Sequence, residues 1–212
     1  MSAATQARTA ILARVRAAQR TALLPPSTDH HAERYEQAQP SPVDPLPRFE
    51  QELRALGVEV HHASSGEETR QIVARAVDGK RVLSWDASAL PDDVFAVLPS
   101  PCGGASSRDE QAGADIGVTG CDAAVAETGS LVLLSGAGRS RTVSLLPRTH
   151  LALVRRGDIL PTLADALERL GDRRRTSASC TVVTGPSRTA DIELTLTVGI
   201  HGPGHLIVVI TP

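Results

Sequence analysis

Residues 115–135, DIGVTGCDAAVAETGSLVLLS, hold the side chains of this sequence that are best placed for chemistry. Two apolar runs, each typical of a β-strand, enclose a short segment that carries Asp122, Glu127 and Thr128. We expect Asp122 to be the N-cap of one or two helical turns, with Gly129 just after their end. Glu127 then lies in the last turn, where the helix dipole disfavours a carboxylate by about 0.3–1 kcal/mol. Because such local conflicts are commoner at functional sites, Glu127 is the leading catalytic candidate, with a solvated surface glutamate as the alternative. Asp122, Thr128 and Gly129 are the ligand-binding candidates of the same segment.

A second polar segment, GPSRTAD, follows the strand predicted at 179–184. Gly185 and the proline after it prevent the strand from continuing, so we expect Ser187, Arg188 and Thr189 on a turn beyond its carboxyl end, where open α/β sheets bind ligands. Their hydroxyl, guanidinium and backbone donors suit a small carboxylate or phosphate. The equal alternative is that Ser187 or Thr189 only caps a helix.

Histidines and arginines on glycine-containing turns give weaker signals. His201 begins HGPGH and is placed to face a crevice as a proton donor or acceptor, although structural turn histidines are more common. Arg139 and Arg141 lie on the turn GAGRSR and can bind an anion there, or remain solvated. The charged run DRRRT is expected to be a solvated connector. The adjacent histidines of the chain lack metal-ligand spacing, so no metal site is predicted.

Composition excludes several classes of function. The chain has 212 residues, a formal net charge of -2 and four aromatic residues, which gives no support to nucleic-acid binding. Lys80 is the only lysine and lacks the context of a phosphate loop. GAGRSR lacks the third glycine of a dinucleotide fingerprint. Three widely spaced cysteines do not suit a zinc or iron–sulfur site held by this chain alone. With neither a leader nor a long apolar run, a cytoplasmic protein without a membrane span is expected.

Around these segments the sequence alternates helix and strand patterns. An amphipathic helix over 5–20 and a proline-rich connector form an N-terminal arm, residues 1–47, and residues 48–212 form the main domain. Helices are predicted over 48–56, 67–77 and 158–170. Strands are predicted over 58–62, 81–85, 94–98, 115–119, 131–134, 150–154, 179–184, 192–200 and 206–210, with another after GAGRSR. This alternation is typical of an α/β fold with a mostly parallel sheet, in which the apolar run 131–134 is a strand buried on both faces.

Three segments together resemble the LUD-domain family: GVTGCDAAVAETGSLVLLS, SLLPRTHLALV, and TGPSRTADIE with GIHGPGHLIVVI. The resemblance is most specific over 115–212. It implies a three-layer α/β domain similar to the ribose-5-phosphate isomerase, glucosamine-phosphate deaminase and coenzyme A transferase superfamily. It also implies a non-redox component of bacterial L-lactate utilization, which oxidises L-lactate to pyruvate with iron–sulfur partner proteins, so that this chain alone binds no cofactor.

The resemblance leaves the question of catalysis open. In coenzyme A transferases of the related fold, a glutamate in a Glu-Asn-Gly-like turn attacks the thioester, and Glu127, Thr128 and Gly129 are similar in placement. A stand-alone acyl transferase or hydrolase that uses Glu127 is therefore one alternative. The other is a module that binds a small carboxylate or phosphate through Ser187 and Arg188.

Overall fold

The computed structural model describes residues 3–21, 44–190 and 196–212. The chain divides into two units, residues 1–38 and 39–212. The described part of the first unit is helix α1 (Ala3–Thr21), which confirms the helix predicted over 5–20. Its exposed large hydrophobic residues are Ile11, Leu12 and Val15. The proline-rich connector lies almost entirely outside the described residues. No helix in the described ranges is long and apolar enough to cross a bilayer.

The second unit alternates helices and strands as predicted. Its helices are α2 (Leu46–Ala55), α3 (Gly66–Val77), α4 (Arg108–Ala112), α5 (Leu163–Leu170) and α6 (Arg173–Thr176). Its strands are β1 (Glu59–His62), β2 (Val82–Ser84), β3 (Ile116–Thr119), β4 (Ala123–Val125), β5 (Ser130–Ser135), β6 (Thr149–Arg155), β7 (Ile159–Leu160), β8 (Ser179–Val183), β9 (Arg188–Ala190), β10 (Leu196–Val198) and β11 (His205–Thr211).

Five parallel strands form the main sheet, in the order β1-β11-β6-β3-β2. Side chains alternate along β6, so that Leu151 and Leu153 join one core cluster while Ala152 and Val154 join another on the opposite face. All four are buried. The mostly parallel sheet expected from the β/α alternation is therefore confirmed.

The two faces of this sheet are covered by different layers. Helix α3 packs on one face through Ile72, Val73 and Val77. On the other face lie helix α2 and a smaller sheet of order β7-β4-β5-β8. These are the three layers of an α/β fold, and α5 covers the outer side of the smaller sheet with Ala166 and Leu170.

The structure corrects the prediction for the segment that follows β3. Residues 121–127 do not form a helix: β4 pairs antiparallel with β5, with Ala124 opposite Leu131. Ala123 and Val125 contact the cluster around α5, while Ala124 and Ala126 contact the cluster beneath the main sheet. Because both faces are buried, strand pairing outweighs the helix propensity of the alanines. The run 131–134 is buried on both faces as predicted, but it belongs to the antiparallel pairing of the smaller sheet.

Three further elements differ from the sequence prediction. The strand predicted over 94–98 is a 3₁₀ turn (Val94–Val97), and so is the strand predicted after GAGRSR (Arg141–Ser144). The second turn lies against Gly117, where a Cβ would come within 1.9 Å of the Val143 carbonyl oxygen. The helix predicted over 158–170 begins only at Leu163, because Thr162 caps it in a capping box with Asp165.

Candidate functional site

A polar cavity lies at the carboxyl ends of three neighbouring parallel strands. Trp85 follows β2, Asp122 lies shortly after β3, and Arg155 ends β6. The cavity has a volume of about 150 Å³. Its charged lining residues are Asp122, Arg139, Arg155, Asp158, Arg169 and Arg173. We call it the arginine crevice, and it occupies the position where open α/β sheets most often bind ligands.

Asp122 lies at the centre of the charged network in this crevice. Its side chain is 3% exposed, and it accepts hydrogen bonds from Arg139 at 2.6 Å and Arg173 at 2.5 Å. The backbone N–H of Leu134 donates a third, at 2.9 Å. Asp122 was predicted to be a helix N-cap; because the segment is a strand, its carboxylate instead holds two guanidinium groups from distant parts of the chain. A buried carboxylate needs such compensation.

The loop that carries Arg139 is fixed to the end of β2. The Arg139 guanidinium lies 5.3 Å from the centroid of the Trp85 ring, and the Trp85 indole N–H donates to the Ser140 carbonyl at 3.2 Å. The backbone N–H of Asp86 donates to the Gly138 carbonyl at 2.9 Å. Gly138 has φ +69°, and a Cβ there would come within 2.9 Å of an Asp86 carboxylate oxygen. The loop therefore requires glycine at this position to hold Arg139 in place.

The crevice has an excess of positive charge. Arg169 pairs with Asp158 at 3.1 Å, whereas Arg155 is exposed and has no ion-pair partner among the described residues. Four arginines thus face two aspartates. The volume of about 150 Å³ lies below the usual range of pockets for drug-sized ligands, so the crevice suits a small anion better than a nucleotide. The arrangement is suited to a small carboxylate.

A larger cavity of about 480 Å³ adjoins the arginine crevice and shares Arg139 with it. Arg141, the second arginine of the turn, lines this outer cavity. Cys121 lines the crevice, but its thiol donates to the Ala123 carbonyl at 2.9 Å, and burial raises its pKa to about 12. Cys121 is therefore a thiol at neutral pH and is unsuited to act as a nucleophile. The described residues contain no group of three or more His, Cys, Asp or Glu side chains arranged to hold a metal ion.

Glu127, Thr128 and Gly129 lie outside the arginine crevice. Glu127 is exposed, and its carboxylate accepts a hydrogen bond at 2.9 Å from the backbone N–H of Leu163, the first residue of α5. It was expected at the negative end of a helix; it lies instead at the positive end of a different one, where a carboxylate is favourable. This contact explains the position of Glu127, which helps to cap the start of α5.

Thr128 and Gly129 connect the tip of the β4–β5 hairpin to neighbouring elements. The Thr128 hydroxyl is 2.7 Å from that of Ser130, which is 2.7 Å from that of Thr184. Gly129 has φ +63°, and a Cβ there would lie 3.0 Å from Glu52 Cβ and from the Leu53 backbone nitrogen. The hairpin thus packs closely on α2 and reaches the end of β8.

Four of the predicted ligand-binding residues share another cavity, of about 390 Å³: Gly185, Ser187, Arg188 and His201. GPSRTAD and HGPGH therefore lie close together, and Glu127 does not line this cavity. Arg188 donates one N–H to the Leu56 carbonyl at the end of α2. Thr189 lies in β9 opposite Thr197 of β10. The ligand-binding roles of these residues stay predictions.

The family model of the LUD domain matches residues 46–211. The chain belongs to the LUD domain family. A protein named lactate utilization protein C from Geobacillus sp. is 37% identical over 123 residues, which cover 56% of this chain and 45% of that protein. A protein of the same name from Macrococcus caseolyticus is 31% identical over 158 residues, covering 69% and 67%. This chain thus spans about half the length of the Geobacillus protein.

A solved structure shows the same fold. The crystal structure of a DUF162 family protein from Deinococcus radiodurans superposes with a TM-score of 0.60 and 24% identity, covering 79% of this chain and 96% of that one. The three-layer arrangement of this chain therefore also occurs in a crystal structure.

Sequence reasoning missed part of the site in this LUD domain. Arg173 was assigned to a solvated connector, yet it pairs with the buried Asp122. His150 was treated only as part of a strand, yet it is 1% exposed and lines the cavity that contains Ser187 and Arg188. A histidine within the apolar run of β6 is a detectable signal. No comparable local signal marks Arg173, because its partner is 51 residues away.

Proposed function

We propose that this LUD-domain chain is a non-redox component of a bacterial L-lactate utilization system. In this role it binds a small carboxylate, L-lactate or pyruvate, in the arginine crevice, while iron–sulfur partner proteins carry the electrons. The names of its relatives from Geobacillus sp. and Macrococcus caseolyticus support the pathway. The size and charge of the crevice support the ligand class.

The buried carboxylate of Asp122 between Arg139 and Arg173 is the observation that carries this proposal. Asp122 fixes both guanidinium groups before a ligand arrives, so ligand binding costs little further ordering of Arg139 and Arg173. Arg155 then offers a guanidinium without an ion-pair partner among the described residues, and it can donate two parallel hydrogen bonds to a carboxylate. Leu153 and Pro91 also border the crevice, but both are buried, so the surface open to a ligand is polar.

Calorimetric titration tests the ligand. We expect L-lactate or pyruvate to bind the purified protein, and lactamide, which lacks the charge, to bind at least tenfold more weakly. Arg155→Gln should weaken binding at least tenfold without disturbing Asp122. Arg174→Gln is the matched control, because Arg174 is an exposed arginine of α6 that does not line the crevice. Absence of heat with both acids, or equal binding of lactamide, contradicts the assigned ligand.

Genetic complementation tests the pathway. In a bacterium whose own lactate utilization protein C has been deleted, we expect the wild-type chain and Arg174→Gln to restore growth on L-lactate and Arg155→Gln to restore it poorly. Failure of the wild-type chain to restore growth contradicts the role in the pathway. Lactate-dependent reduction of an artificial electron acceptor by the purified chain alone contradicts the non-redox role.

A further inference from the structure

Another cavity lies at the other end of the parallel strands. It is the 390 Å³ cavity lined by the segments 181–188 and 201–203, and we call it the His150 pocket. His150 and Leu206 lie at the amino ends of β6 and β11, whereas Arg155 of the arginine crevice ends β6. At about 3.3 Å per residue, His150 and Arg155 are about 16 Å apart along the strand. The two cavities are therefore separate sites.

His150 gives this pocket a buried polar group that lacks a protein partner. Its Nε2 lies 2.9 Å from the Thr119 hydroxyl, while its Nδ1 has no hydrogen-bond partner among the described residues. The residue is 1% exposed, and burial lowers its pKa to about 4, so the ring is neutral at physiological pH. If Nδ1 carries the proton it needs an acceptor, and if it does not it needs a donor. A ligand hydroxyl satisfies either state; because Nδ1 is closed to solvent in the free protein, the hydroxyl reaches it through a shift of the neighbouring side chains.

The rest of the lining defines the other parts of a ligand. Arg188 is exposed, and its contact with Leu56 uses only one of its five N–H groups. Val182 is 46% exposed and Leu145 is 43% exposed, which gives the wall an apolar surface. The two polar groups thus lie at different depths, because the His150 imidazole is buried and the Arg188 guanidinium is exposed. Apolar side chains also line the pocket. The volume is within the range of pockets for small organic ligands.

We propose that the His150 pocket binds an organic acid whose carboxylate pairs with Arg188, whose apolar chain contacts Leu145 and Val182, and whose far end carries a hydroxyl that bonds to His150 Nδ1. This site is independent of the function proposed for the arginine crevice, and it calls for a longer acid than L-lactate. Ser187 and His201 also line the pocket and add hydrogen-bonding groups for the carboxylate.

The test uses a series of ω-hydroxy acids and the nitrogen signals of the His150 ring in the full-length, nitrogen-15-labelled protein. The probes are 4-hydroxybutyrate, 6-hydroxyhexanoate and 8-hydroxyoctanoate. We expect at least one to shift the Nδ1 signal saturably. The acid of the same length without the hydroxyl and the amide of the same length without the charge should each bind at least tenfold more weakly. Absence of a saturable shift with all three acids overturns the proposal, and so does equal binding of either analogue.

Two variants assign the contacts. Arg188→Gln should weaken the best acid at least tenfold, whereas Arg148→Gln, which removes an exposed arginine outside the pocket lining, should not. His150→Phe should abolish the advantage of the hydroxy acid over its unsubstituted analogue, as measured by calorimetry. Equal effects of Arg188→Gln and Arg148→Gln overturn the proposed ion pair. Tenfold tighter binding of 6-hydroxyhexyl phosphate than of every hydroxy acid overturns the carboxylate assignment.

Discussion

The buried carboxylate of Asp122 and the guanidinium of Arg139 lie 2.6 Å apart and join the loop after β3 to the loop after β5. Arg173 adds a second charged contact to the same oxygen atom. Removing one hydrogen bond to a charged group typically lowers the free energy of unfolding by about 1.5–3 kcal/mol. The pair therefore stabilises the crevice as well as shaping it.

Replacing Asp122 by asparagine should lower the free energy of unfolding by about 2–3 kcal/mol. The amide oxygen can still accept from the Leu134 N–H, but both arginines lose their carboxylate. Urea unfolding measures the change. Asp172→Asn is the control, because Asp172 is exposed and its side chain does not cap α6, and it should stay within about 0.5 kcal/mol of the wild type. Equal effects of the two substitutions would show that the network contributes little.

Glu127→Gln should cost about 0.5–1 kcal/mol of stability, since it removes a carboxylate from the start of α5 while keeping an acceptor for the Leu163 N–H. Binding of L-lactate or pyruvate should be unchanged, because Glu127 lies outside the crevice lining. Thermal unfolding and calorimetry measure the two effects. A loss of more than 100-fold in any acyl-transfer or hydrolysis activity, without a change in stability, would instead favour the nucleophilic role suggested by the resemblance to coenzyme A transferases.

Local patterns in the sequence were sufficient to predict much of the fold. Helix α3 has its N-cap at Ser65, whose side chain accepts from the Glu68 N–H, and Gly79 follows its end with φ +66°. Strand β6 coincides with an apolar run. These features depend on neighbours within a few residues, which is the range that periodicity and capping rules cover.

The elements that were predicted wrongly depend on distant residues. Residues 121–127 favour a helix by composition, and only the pairing of Ala124 with Leu131 and burial on both faces make them a strand. Asp122 was selected as a site residue for a local reason, whereas its partners lie 17 and 51 residues further along the chain. The sequence thus identified a residue of the site but not the site itself.

A matched pair of glycines separates close packing from backbone strain. Gly129 and Gly79 have similar φ values of +63° and +66°, but a Cβ at Gly129 would lie 3.0 Å from α2 atoms, while nothing lies within 4 Å of one at Gly79. Gly79→Ala should cost about 1–2 kcal/mol from the left-handed conformation alone. Gly129→Ala should cost about 1–3 kcal/mol more, because overpacking adds to the strain. Chemical denaturation measures the free energy of unfolding of both variants. Equal losses would mean that α2 shifts at no cost to make room for the added methyl group.

The cysteines should differ strongly in reactivity. Cys180 is exposed on β8, whereas burial raises the pKa of Cys121 to about 12 and also raises the pKa of Cys102. Because the thiolate is the reactive form, iodoacetamide at pH 8 should label Cys180 first and Cys121 at least 100-fold more slowly. Peptide mass spectrometry over time measures the order. Comparable labelling of Cys121 and Cys180 in the folded protein would contradict the burial of the crevice wall.

His150 should make stability depend on pH between 6.5 and 4. Its pKa in the folded protein is about 4, against 6.5 for an unperturbed histidine, because the buried ring resists protonation. Above pH 6.5 both states are neutral and the stability is complete. As pH falls, the unfolded chain binds the proton first, so the free energy of unfolding should drop by about 3 kcal/mol by pH 4 and level off just below it.

Urea unfolding of the wild type and of His150→Gln from pH 7 to pH 4 tests this dependence, since the other histidines are the same in both proteins and cancel in the difference. The variant should lose most of the slope in this window. Asp115, whose pKa Arg81 lowers to about 2, contributes stability that is lost only as the pH falls below about 3.8, outside the window. An unchanged slope in His150→Gln would show that the buried ring already finds a partner that keeps its ordinary pKa.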